Sequence, residues 1–90
     1  MKIYLSGHLK QFAGGETEVS LPGSFKSVGE ALGGLWSLHP ALRDRVLDEQ
    51  GKIRTHVNVF LGEKSVKQSE GLATAIDANE LHIFNAVSGG

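Results

Sequence analysis

Two glycines, Gly89 and Gly90, end the chain directly behind an apolar, strand-like run, Leu81-His82-Ile83-Phe84-Asn85-Ala86-Val87-Ser88. Without a Cβ, glycine takes backbone angles closed to other residues. A terminus of this kind is expected to thread as a slim, flexible strip into an active site on another molecule. Its one reactive group there is the α-carboxylate of Gly90. A chain that offers its own end reads as a substrate rather than as an enzyme. The dipeptide alone is a weak signal, because many chains end in small residues; its weight comes from the elements before it.

Other candidate chemistry is thinner. Gly62-Glu63-Lys64-Ser65 echoes the end of a phosphate-binding loop, but the upstream glycine spacing is missing and a hairpin turn explains it. Four histidines are scattered at His8, His39, His56 and His82. If the strands carrying His56 and His82 are neighbours, the two share an exposed face. No carboxylate or cysteine stands at matching spacing, so no metal site is expected. Asp44 and Asp48 lie four apart on an expected helix, as many solvated carboxylates do, with no pocket to perturb them. No catalytic residue is assigned.

The 90 residues suit one domain, with little room for a deep enclosed pocket. A chain of this size buries about 60–65% of the surface its unfolded form exposes. It is 40% hydrophobic and 21% charged with a formal net charge of −1, which predicts no broad attraction to nucleic acid or membrane. There is no cysteine, which removes disulfides, thiolate metal sites and a cysteine nucleophile together. The start, Met1-Lys2-Ile3-Tyr4-Leu5-Ser6, lacks the long apolar stretch of a signal peptide, and nothing later approaches a membrane span. A cytoplasmic protein is the expectation.

The elements that must position the terminus follow from periodicity. Ile3 and Leu5 alternate with Lys2, Tyr4 and Ser6; after Gly14-Gly15, residues 16–21 alternate again, giving an N-terminal hairpin. Ser27 with Glu30 three residues later is a capping-box pattern that starts a helix. Val28, Leu32, Leu35 and Leu38 fall at helical spacing and face the sheet. Gly33 and Gly34 weaken that helix by about 1 kcal/mol each relative to alanine, so close backbone packing is the expected reason for them. Pro40 opens a second short helix, Ala41 to Leu47, with Leu42 and Val46 inward. Val57, Val59 and Leu61 then mark a strand, with a short companion near Ser65-Val66-Lys67. Gly71 to Ile76 reads as an irregular or single-turn segment pinned by Leu72 and Ile76, and Leu81 and Ile83 point inward from a last strand.

The two end strands cannot pair through a tight turn. Lying side by side and parallel, they need the right-handed crossover that the helix supplies. The expected fold is therefore α+β, a β-grasp: a mixed four- to five-stranded sheet on one main helix with a short second helix. Residues 1–86 form the domain and 87–90 the tail. The other sheet face is bare, and Tyr4, Phe60 and Phe84 fall on it, on adjacent strands. Aromatic side chains on a water-facing sheet are the mark of a partner surface, provided that the register holds, since a slip of one residue exchanges the faces.

With these features in place, the chain resembles the ubiquitin-like sulfur-carrier proteins, the group containing the small subunit of molybdopterin synthase and the thiazole-synthesis carrier. The similarity runs over essentially the whole length. It is strongest from His56-Val57-Asn58-Val59-Phe60-Leu61 through Gly71-Leu72-Ala73-Thr74-Ala75-Ile76 to Ala86-Val87-Ser88-Gly89-Gly90. The stretch Glu70 to Ile76 looks most like the branch that delivers sulfide for cysteine synthesis. Family members often carry proline where this chain has Asn85 or Ala86.

The resemblance implies that an E1-like enzyme uses ATP and magnesium to adenylate the Gly90 carboxylate. A sulfur donor then converts the acyl-adenylate to a thiocarboxylate, so the sulfur sits on the terminal carbonyl and no thiol is needed. A downstream synthase accepts the sulfur, and in the cysteine branch a metalloprotease releases the product. Gly89 is the slim neighbour of Gly90, and Ser88 and Val87 extend the threaded strip. Phe84, with Phe60 or Leu61 and with Tyr4, forms the docking patch. The free chain is expected to be a monomer with no bound cofactor. Two alternatives stay open: a protein modifier joined to lysines through Gly90, and a permanent small subunit whose tail enters a synthase. The final sulfur acceptor is equally open.

Overall fold

The computed structural model of the chain describes residues 1–85; Ala86 and the expected tail at 87–90 lie outside the described residues. The strands are β1 (Lys2–Leu5), β2 (Glu18–Ser20), β3 (Val57–Leu61), β4 (Lys64–Ser65) and β5 (Glu80–Asn85), with helices α1 (Val28–Leu38) and α2 (Arg43–Val46) between β2 and β3. The strands form one five-stranded sheet in the order β2-β1-β5-β3-β4. β1 and β5 pair in parallel at its centre, and every other pairing is antiparallel. This is the β-grasp that the element order predicts.

Alternation decides what each strand buries. Ile3, Leu5, Val57, Val59, Leu61, Leu81 and Ile83 all enter one core with Val28, Ala31, Leu32 and Leu35 of α1 and with Leu42 and Val46. Fully burying a side chain of the Val, Leu or Ile type is worth about 1.5–3 kcal/mol, so this set holds the sheet to the helix. The capping box forms with one change. Ser27 Oγ accepts from the Glu30 backbone N–H at 3.2 Å, but Glu30 Oε1 accepts from the N–H of Lys26, not Ser27, at 3.3 Å.

Several expectations are corrected. Leu38 is 53% exposed, because α1 ends there and His39-Pro40 turns the chain away before a fourth turn reaches the sheet. Gly33 faces open space; only Gly34 sits in close packing, against Leu21 and the Phe25 ring. The helical glycine in a tight place is Gly29, where a Cβ would lie 3.1 Å from the Leu72 carbonyl oxygen. The second helix is shorter than expected: Pro40–Leu42 is a 3-10 turn and only Arg43–Val46 is α-helical. Asp48 is therefore off the helix, and its carboxylate instead accepts from the N–H groups of Gln50 at 2.8 Å and Lys52 at 3.0 Å.

The long β1–β2 connection also feeds the core. Leu9 and Ala13 are fully buried on either side of a 3-10 turn at Lys10–Phe12. On the other flank, a 3-10 turn at Gly71–Ala73 is fastened to the start of α1. The Val28 N–H donates to the Thr74 carbonyl at 2.9 Å, and the Ile76 N–H donates to the Lys26 carbonyl at 3.1 Å. Leu72 and Ile76 pack on the core edge as the sequence suggests. The β3–β4 hairpin turns through Gly62, whose φ of +60° suits the left-handed position of a two-residue loop.

Candidate functional site

The face of the sheet opposite the helices is where the expected patch falls. Period-two alternation puts Tyr4 of β1, His82 and Phe84 of β5, and Asn58 and Phe60 of β3 on the same side, because Ile3, Leu5, Val57, Val59, Leu61, Leu81 and Ile83 are committed to the core. Register then makes neighbours of them. Tyr4 is opposite His82, His82 is opposite Phe60, and Asn58 is opposite Phe84.

Two stacks result. The Tyr4 and His82 rings lie 4.8 Å apart between centroids at 15°, and the Phe60 and Phe84 rings 5.7 Å apart at 15°. Phe84 is 37% exposed, while Tyr4, Phe60 and His82 are half-buried. Between them, Phe60, Gly62, His82 and Phe84 line a shallow apolar hollow of about 290 Å³. Charged groups flank the strip and pair among themselves. Lys2 Nζ lies 3.1 Å from Glu18 Oε2, and His82 Nε2 lies 3.5 Å from Glu80 Oε1. The hydrogen bond to Glu18, reinforced by its charge, holds the Lys2 ammonium above its ordinary pKa.

Of the expected patch residues, Tyr4, Phe60 and Phe84 come together. Leu61 does not belong there. It is 1% exposed, its side chain turned into the core by the same alternation that turns Phe60 outward. His82, expected on an exposed face but not named in the docking patch, is the further member. Its even spacing with Phe84 on β5 was the available signal. Val87, Ser88, Gly89 and Gly90 lie outside the described residues.

His56 does not join His82 on this face. It stands just before β3 and lines a separate polar cleft of about 220 Å³ with His8, Asp44, Arg45, Arg54 and Asn85. Among the described residues no group of three or more His, Asp or Glu side chains is placed to hold a metal ion. A hollow of about 630 Å³ lies between residues 51–55, Lys67 and the 71–73 turn and shares no lining residue with the aromatic face. Of the two lysines that line it, Lys67 donates from Nζ to the carbonyls of Arg54 at 2.6 Å and Thr55 at 2.9 Å, and burial pushes its pKa down. No described helix is long and apolar enough to cross a membrane. The arrangement is suited to docking: an aromatic strip on the sheet, with β5 ending at Asn85.

Comparison with known proteins bears on what docks. No protein-family model matches the sequence. Small archaeal modifier protein 1 of Haloferax volcanii is 35% identical over 91 residues, covering 100% of both chains. Sulfur carrier protein CysO of Mycobacterium tuberculosis is 33% identical over 85 residues, covering 91% of this chain and 89% of that protein. Among solved structures, the fold matches a chain in the crystal structure of the Amycolatopsis orientalis BexX/CysO complex with a TM-score of 0.85 at 29% identity, covering 99% of this chain and 98% of that one. A β-grasp with an aromatic outer face, and 33–35% identity to both kinds of relative over at least 91% of the chain, lead to one conclusion: the chain belongs to the ubiquitin-like family of sulfur carriers and small archaeal modifiers.

Proposed function

We propose that this protein is a sulfur carrier whose reactive group is the Gly90 carboxylate. An ATP- and magnesium-dependent E1-like enzyme converts the carboxylate to an acyl-adenylate with release of pyrophosphate. Sulfide, or the outer sulfur of a persulfide followed by thiol reduction of the acyl disulfide, then displaces AMP and leaves a thiocarboxylate. A synthase takes the sulfur into a metabolite or cofactor, and hydrolysis returns the carboxylate. In a cysteine-forming pathway a metalloprotease would release the product.

The observation that carries this reading is 33% identity to a named sulfur carrier over 91% of a chain that ends in Gly89-Gly90 and holds no cysteine. The rest of the chain has a matching division of labour. The tail at 87–90 supplies reach, and the preformed face of Tyr4, Phe60, His82 and Phe84 supplies binding energy without the ordering cost of a free peptide. The domain needs no catalytic side chain; ATP and magnesium belong to the activating enzyme. Because the chemistry draws on ATP and a reduced sulfur donor, the reading carries a cytoplasmic location.

The test is the intact mass of the protein purified from its native host. A fraction with one terminal oxygen exchanged for sulfur is expected. A second reading, a modifier joined to lysines through Gly90, is favoured by the full-length identity to an archaeal modifier. Lysine adducts carrying the Gly89-Gly90 remnant, with no thiocarboxylate, would replace the first reading by the second.

A further inference from the structure

The polar cleft beside the end of β5 has features that the aromatic face does not explain. Two guanidiniums meet there, each held in place. Arg45 lies over the Phe12 ring, 4.3 Å from its centroid, and Arg54 Nε donates to the Asp44 carbonyl at 2.9 Å. Neither has a carboxylate within salt-bridge distance among the described residues. The one acid in the cleft, Asp44, turns its carboxylate to Arg43 at 3.4 Å. His8 and His56 complete the wall. At the floor, Asn85 Oδ1 is buried with no hydrogen-bond partner among the described residues.

Position selects the occupant. Asn85 is the last residue of β5, and five residues separate it from the chain end. Fully extended, five residues span at most about 18 Å. Any enzyme that takes the Gly90 carboxylate into its active site must bring the mouth of that site to within this distance of Asn85, which lines the cleft. At the aromatic strip Lys2 is paired with Glu18, and His82 Nε2 lies 3.5 Å from Glu80 Oε1. The guanidiniums of the cleft, neither of them in a salt bridge among the described residues although Arg54 also acts on the Asp48 charge, are what remain to set orientation.

We propose that the cleft of Arg45, Arg54, His8, His56 and Asn85 receives carboxylate side chains at the mouth of the active site that takes the tail. The inference rests on the tail-activation reading above. Arg45 and Arg54 are the anchors, since a guanidinium fork matches a carboxylate in two hydrogen bonds. A phosphate group is the other oxyanion with the required chemistry. The cleft lacks the glycine-rich loop of backbone N–H groups that cradles phosphates, and the tail's short reach favours protein carboxylates.

The experiment measures ATP–pyrophosphate exchange by the host's purified activating enzyme against increasing concentrations of the full chain. For Arg45→Glu/Arg54→Glu the half-saturating concentration rises at least tenfold. For the wild type it also rises with added sodium chloride, and for the variant this salt dependence flattens or reverses. Should the charge reversal unfold the chain, Arg45→Gln/Arg54→Gln removes the charge at similar size and is expected to raise half-saturation several-fold. Wild-type exchange unchanged by these substitutions overturns the inference and leaves the tail reading intact. No exchange by the wild type overturns that reading and the inference with it. Saturable shifts of the His56 and Asn85 side-chain resonances on adding inorganic phosphate to the chain alone would assign the cleft to phosphate instead.

Discussion

Tyr4 on the first strand and His82 on the last stack almost parallel, ring centroids 4.8 Å apart, across the parallel β1–β5 pairing. The contact joins the two ends of the chain on the face that no helix covers. It places the aromatic surface at the centre of the sheet, on β5 and its two neighbours.

The patch and the core can be separated by two substitutions on neighbouring strands. Phe84→Glu removes a stacked partner of Phe60 worth about 0.5–1.5 kcal/mol and is expected to lower thermal stability only modestly while weakening binding to the activating enzyme tenfold or more. Leu61→Ala, on the buried side, is expected to cost about 2–5 kcal/mol. Calorimetric titration and thermal unfolding of both variants check the contrast. A Phe84→Glu chain that binds normally would remove the face from the docking account.

Bulk at the terminus should stop the chemistry and spare the fold. Gly89→Val or Gly90→Val is expected to abolish thiocarboxylate formation, read by intact mass, with unfolding temperatures equal to wild type. Normal sulfur loading of either variant would sink the threaded-tail reading.

Thr74 is a structural staple rather than a docking residue. It is 3% exposed, and its Oγ1 accepts from the Glu70 N–H at 3.0 Å. Thr74→Val keeps the shape and deletes the acceptor, leaving that N–H without its partner at a cost of about 1–3 kcal/mol. Denaturant unfolding is the measurement, and Thr74→Ser should recover most of the loss.

Acid sensitivity should map partly to Asp48. The backbone N–H of Lys52, then that of Gln50, with the charges of Arg54 and Lys52 adding, holds its carboxyl below the ordinary value of 3.8 against a smaller opposing effect of desolvation. The folded state therefore favours the ionised form. The stability this supplies is present above the ordinary value and is lost as pH falls through the lower folded one. Asp48→Ala is expected to unfold at lower temperature near neutral pH and to show a flatter fall in stability below about pH 4, followed by thermal unfolding across pH.

How much of this was legible in residues alone varies with the range of the contact. Local signals were read well. Ser27 and Glu30 mark the start of α1 because a cap bonds within four residues, although the return bond to Lys26 instead of Ser27 needed coordinates. The alternation of Val57, Val59 and Leu61 against Phe60 gave both faces of β3, and that same alternation should have kept Leu61 out of the patch. Leu38 kept helical phase with Leu35 yet is exposed, since where a helix ends relative to its sheet is not a periodic property. Leu9 and Ala13 carry no periodic signal yet are core, on either side of a 3-10 turn.

The sequence by itself determined the strand faces, the cap, the glycine-ended terminus and the absence of thiol chemistry, since each rests on residue type or on neighbours a few positions away. Only the tertiary structure decided that His82 completes the aromatic face and that His56 leaves it for a cleft with Arg45 and Arg54. Those groupings bring together β1 with β5 and α2 with the approach to β3. Side chains so distant in the chain meet only after strand register and the helical crossover have been set, and no spacing rule encodes that.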